Sequence, residues 1–191
     1  MKAMMKLGAS AILSLALAGA AFAGPVRLEP ADPQPGSVKQ GLKVWYAYPD
    51  DVKSIAEAER ALEEGAKAGP PLEGLDYWDT EEGMDTLTSG RPLHVAARIE
   101  GYVRFDAPGR YTIDFLSNDG LEAYVGGQRV ARATGRRACE PIPATEVEVP
   151  QAGWYPIKAT YFQRLGTACL HMRAGPSGTE PEWMPNAAFG Y

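Results

Sequence analysis

From Pro92 onward the apolar residues recur at every second position, the spacing that lines one face of a β-strand. Ile99, Gly101, Val103 and Phe105 form one set, Tyr111, Ile113 and Phe115 a second, and Leu121, Ala123 and Val125 a third. Val147 with Val149, then Tyr155, Ile157, Ala159 and Tyr161, then Ala168, Leu170 and Met172 continue the series. Turn residues separate these runs at Ala107-Pro108-Gly109, Ser117-Asn118-Asp119-Gly120, Gly126-Gly127 and Gln151-Ala152-Gly153. Short strands at even spacing predict an all-β protein, an antiparallel β-sandwich or distorted barrel.

The first half of the chain is less regular. Leu42 to Tyr48 is apolar and aromatic, reads as a strand and is closed by Pro49. A single short helix is predicted next, capped by Asp50 or Asp51 and running to about Lys67, where Gly69-Pro70-Pro71 stops the chain. Its apolar stripe (Val52, Ile55, Leu62, Ala66) is thin, which predicts a solvated surface insert. Leu75 to Arg91 is acidic and irregular and reads as a solvated loop. Residues 24–40 carry four prolines, Pro25, Pro30, Pro33 and Pro35, and read as an extended lead-in to a domain over 41–191.

Residues 1–23 have the layout of a secretory signal peptide. Lys2 and Lys6 precede the apolar run Leu7 to Ala18, and Ala21-Phe22-Ala23 is a small-x-small cleavage site. The run is shorter than the roughly 18 residues a membrane span needs. Removing 23 residues and two lysines from a chain of 191 residues with net charge −5 leaves 168 residues at −7. An exported protein, periplasmic or extracellular, is expected. Export makes a disulfide the default state of the only two cysteines, Cys139 and Cys169. A metal pair would want closer spacing and more ligands. A cysteine nucleophile would need His94 or His171 as partner.

Composition then excludes whole classes. With 45% hydrophobic and 23% charged residues the chain is not disordered. Its acidic balance argues against nucleic acid as a partner. No nucleophile elbow, zinc-protease helix or phosphate-binding loop occurs, so no enzyme activity is expected.

Several of these strands also carry a family resemblance. Gly101-Tyr102-Val103, Pro108-Gly109-Arg110-Tyr111-Thr112-Ile113 and Ser117-Asn118-Asp119-Gly120-Leu121-Glu122-Ala123-Tyr124-Val125 resemble the core motifs of the PA14 domain. Ala152-Gly153-Trp154-Tyr155-Pro156-Ile157, Gly166-Thr167-Ala168-Cys169-Leu170 and the ending Met184-Pro185-Asn186-Ala187-Ala188-Phe189 resemble its later ones. The resemblance implies a sandwich or distorted barrel over 41–191. It also implies a binding module for carbohydrate or a cell-envelope glycan, with a protein-interaction or structural role in the envelope as the alternative.

In lectins of this family two consecutive aspartates of the turn hold Ca²⁺. The matching positions are Asn118 and Asp119, and this resemblance makes them candidate ligand and calcium residues. Two departures stand out: Asn118 offers a neutral oxygen, and Gly126 stands where the family has Asp. Asn-Asp-Gly is also an ordinary turn sequence. Aromatic rings that could pack on sugar faces are Trp45, Tyr77, Trp78, Tyr124, Trp154 and Trp183. Trp78, among polar neighbours, is the candidate expected at the surface.

Overall fold

In the computed structural model the period-two runs become long strands whose apolar sides meet between two sheets. The structure describes residues 24–191; the expected signal peptide over 1–23 lies outside the described residues. Strands β1 to β4 are Val26–Arg27, Lys43–Ala47, Lys67–Ala68 and Asp76–Tyr77, and helix α1 is Ile55–Gly65. β5 to β9 are Val95–Phe105, Gly109–Asn118, Gly120–Val125, Gln128–Ala133 and Glu140–Pro141. β10 to β14 are Thr145–Val149, Gly153–Gln163, Cys169–Pro176, Glu182–Trp183 and Phe189–Gly190.

The first sheet has the order β1-β10-β6-β12-β13, with β4 also on β12 and β9 on β6. The second has the order β3-β2-β5-β11-β7-β8, with β14 on β5. All pairs are antiparallel except β1 with β10. The sheets stay separate, so the molecule is a sandwich and not a closed barrel. Ile99, Val103, Phe105, Ile113, Phe115, Leu121, Ala123, Tyr155, Ile157, Leu170 and Met172 fill the space between them. Among the described residues no helix is long and apolar enough to cross a membrane.

Two elements differ from the sequence reading. The helix starts later: Ser54 is its cap, accepting from the Glu57 N–H, while Asp51 pairs with Arg164. It is also not a detached insert. Val52, Ile55, Ala58 and Leu62 pack with Ala47, Ala96 and Phe162 into a second small core, because even a thin stripe suffices against a flat apolar sheet end. The lead-in is docked as well: Val26–Arg27 extends the first sheet and Leu28 is buried in the main core.

That docking accounts for Gly126. It sits at φ +52 in the β7–β8 turn, and its carbonyl accepts from Glu29 N–H at 2.9 Å. A Cβ there would lie 2.7 Å from the Glu29 nitrogen and 2.9 Å from Leu28 Cβ. An aspartate would push the lead-in off the turn.

Candidate functional site

The turn between β6 and β7 is held from every side. The Ser117 hydroxyl donates to the Asp119 carbonyl at 2.9 Å, and the buried Tyr161 hydroxyl donates to the Asn118 carbonyl. The Asn118–Asp119 peptide is cis. Asp119 donates its N–H to the Phe162 carbonyl at 3.1 Å. Its carboxylate bridges two loops: Oδ1 accepts from Arg137 N–H at 3.1 Å and Oδ2 from Arg164 N–H at 2.8 Å. The Asn118 side-chain amide donates to Thr167 Oγ1 at 3.0 Å. Gly120 closes the turn where a Cβ would sit 2.2 Å from the Phe162 ring.

Cys139 and Cys169 form a disulfide beside this turn, with Cys169 directly opposite Asn118 in the β6–β12 ladder. The exposed carboxylate of Asp79 lies within 4.8 Å of both sulfurs, but the sulfurs are spent on each other and hold no metal. An open depression of about 500 Å³ lies in front of the turn, lined by Asn118, Asp119, Arg136, Arg137, Leu165 and Thr167 among others.

These residues supply few of the ligands that a calcium ion requires. Ca²⁺ wants six to eight hard oxygens, several of them charged. Asp119 is the one carboxylate in the lining, and each of its oxygens already accepts a backbone amide. Asn118 donates its N–H₂ group to Thr167, which leaves its side-chain oxygen as a single neutral donor in place of a carboxylate. Two arginines line the same depression.

Trp78 stands close by on the outer face of the same sheet. Thr80 ties its segment to β12: its N–H donates to the Ala168 carbonyl, and its hydroxyl accepts from the Ala168 N–H. Asp76–Tyr77 pairs with β12, so the start of the predicted acidic loop is in fact a short strand. The indole, 59% exposed, packs on His171 with centroids 4.4 Å apart and on Trp183 with centroids 4.8 Å apart. Trp183, brought in by β13, is 40% exposed and stacks under the Arg173 guanidinium. Arg173 is fixed by a bidentate pair with Asp114 at 2.8 and 2.6 Å.

His171 is fully buried beneath the two indoles, and neither ring nitrogen has a hydrogen-bond partner. Asp76 Oδ1 is 3.4 Å from Nδ1. Burial holds the imidazole below its ordinary pKa, with Asp76 opposing the shift only in part.

The structure therefore brings Asn118, Asp119 and Trp78 onto one side of the first sheet. His171 follows Cys169 by two residues on the same face of β12, about 7 Å along the strand. The other aromatic candidates go elsewhere. Tyr77 packs on the main core, Trp45 lies under Arg98, Trp154 beside Arg104, and Tyr124 is on the second sheet. His171 and the pairing of Trp183 with Trp78 were missed in sequence, because 105 residues separate the two indoles and only β12 joins them.

A family model for the PA14 domain matches residues 39–187. The chain belongs to the PA14 family. Solved PA14 structures share its fold at low identity. The PA14 domain of the MpAFP antifreeze protein superposes with TM-score 0.67 at 14% identity, covering 81% of this chain and 92% of that one. The PA14 sugar-binding domain of an RTX adhesin gives 0.62 at 16%, covering 81% and 99%. The Epithelial Adhesin 9 A domain of Candida glabrata, solved with Galβ1-3GlcNAc, gives 0.64 at 16%, covering 87% and 95%. Among curated proteins none matches the chain in sequence.

Proposed function

We propose that this PA14 protein is an exported, non-catalytic module that binds carbohydrate, a cell-envelope glycan, on the outer face of its first sheet. Trp78 and Trp183 form the aromatic platform, and Asn118 forms the polar rim beside it, with Asp119 buried behind as the residue that holds the turn. The observation that carries this reading is the Trp78–Trp183 pair. Two large indoles left exposed at 59% and 40% on one face represent apolar surface that a folded chain normally covers. Flat rings match the apolar faces of sugars, and aromatic contacts dominate binding energy where they occur. The platform is firmly backed, by β4 and β13 on β12 and by the Arg173–Asp114 pair, so little order is lost when a ligand arrives. Family members that bind sugars, the RTX adhesin domain and the Candida adhesin domain, support the class of ligand.

The test is titration of tryptophan fluorescence with panels of oligosaccharides. Saturable quenching or enhancement by a restricted set of glycans is expected, lost in Trp78→Ala. Absence of any glycan response, with capture of an envelope protein instead, would favour the protein-interaction role.

A further inference from the structure

The depression beside the platform is electrostatically unlike the rest of the chain. The protein is acidic overall, at −5, yet Arg129, Arg132, Arg136 and Arg137 fall within nine residues. Arg129 and Arg132 are spent on Glu122. Arg137 donates through Nη2 to the carbonyls of Glu140 and Pro141 at 3.0 and 2.9 Å and lies 3.8 Å from the Glu140 carboxylate, so its charge is already paired. Arg136 is exposed and forms no ion pair among the described residues. Both Arg136 and Arg137 line the depression in front of Asn118 and Asp119.

The only acid in the lining, Asp119, is 4% exposed and its charge is compensated by two amides. A visiting group thus meets an unpaired guanidinium, the Asn118–Thr167 pair and the exposed Leu165. Positive charge lining a site repels a divalent cation and attracts an anion. A guanidinium offers a planar fork that matches a carboxylate.

We infer that this depression takes the carboxylate of an acidic sugar, and that the protein binds its glycan without calcium. The inference rests on the glycan-binding reading above and names its ligand class. The neutral part of the sugar lies on Trp78 and Trp183, and the carboxylate reaches Arg136.

The experiment is isothermal titration of the protein in EDTA with tri-galacturonic acid and, separately, with a neutral galactose trisaccharide. Wild type, Arg136→Gln and Trp78→Ala are compared. Arg136 is exposed and unpaired, so Arg136→Gln keeps its melting temperature. Wild type is expected to bind the acidic trisaccharide at least about tenfold more tightly than the neutral one. Raising salt weakens that binding, and Arg136→Gln weakens it by about tenfold as well. Equal binding of acidic and neutral sugars, or an unchanged Arg136→Gln variant, overturns the acidic-sugar inference. If neutral sugar then still binds through Trp78, the glycan reading stands alone. Binding of neutral sugar only after calcium is added overturns the metal-free inference. No response to either trisaccharide in any variant, with or without calcium, overturns both.

Discussion

The exposed indole of Trp78 covers the imidazole of His171, ring centroid to ring centroid at 4.4 Å, and hides both of its nitrogens from solvent. Trp183 closes the other side at 4.9 Å. Two residues far apart in sequence, Trp78 just after β4 and Trp183 in β13, thus use one β12 side chain as a common floor. Trp78→Ala should weaken glycan binding at least about tenfold, the usual cost of removing an aromatic anchor. Because Trp78 is more than half exposed, fold stability should fall much less than binding. Thermal melting and sugar titration of the same variant separate the two effects.

The floor makes stability depend on pH. His171 has its pKa lowered by burial, so the folded state resists protonation while the unfolded chain takes a proton near the ordinary value of 6.5. Above that value the imidazole is neutral in both states and its contribution is fully present. As pH falls below it, the unfolded state binds more protons and stability is lost until the folded group also titrates. Thermal melting between pH 7.5 and 5 should show a drop that His171→Gln flattens. A variant with the same slope as wild type would remove His171 as the cause.

Asp119 is a bolt between loops. It joins the turn to Arg137 and Arg164 through two backbone amides. Asp119→Ala leaves both without their partner and should cost about 3 kcal/mol, read by urea denaturation. Millimolar calcium should leave the melting temperature of wild type unchanged, since a ligand that binds only the native state would raise it.

The disulfide spans 30 residues and joins the Arg136–Arg137 loop to β12. Loop-closure entropy puts its contribution at roughly 3.5 kcal/mol. Titration of the denatured, unreduced protein should find no free thiol, and Cys139→Ser with Cys169→Ser should lower stability by about that amount. A variant as stable as wild type would mean that the bond constrains little.

The core strands were legible because alternation is a local signal. Ile99 to Phe105 and Tyr155 to Tyr161 read correctly since each strand buries only one side. The disulfide was legible from the expectation of export together with a count of two cysteines. The helix was misjudged because a stripe of three or four residues shows its worth only against Phe162, which lies a hundred residues away. Nor was the site as a whole legible. Asn118, Asp119 and Trp78 could be named singly, but β4 and β13 are two-residue strands with no period to read. Their register on β12 puts Trp78 beside Trp183, and no local pattern encodes it. His171 stood out in the sequence only as a partner that a cysteine nucleophile would need, and burial with both nitrogens unpartnered is visible only in the fold.

The most direct measurement is a glycan microarray probed with wild type and with the Trp78→Ala, Trp183→Ala double variant, both in EDTA. Wild type should be retained on a restricted set of glycans enriched in acidic sugars, and the double variant, still folded by its melting curve, should be retained on none. Equal retention of the two proteins, or no retention of wild type on any glycan with or without calcium, would contradict the assignment of the Trp78–Trp183 face as a sugar-binding surface.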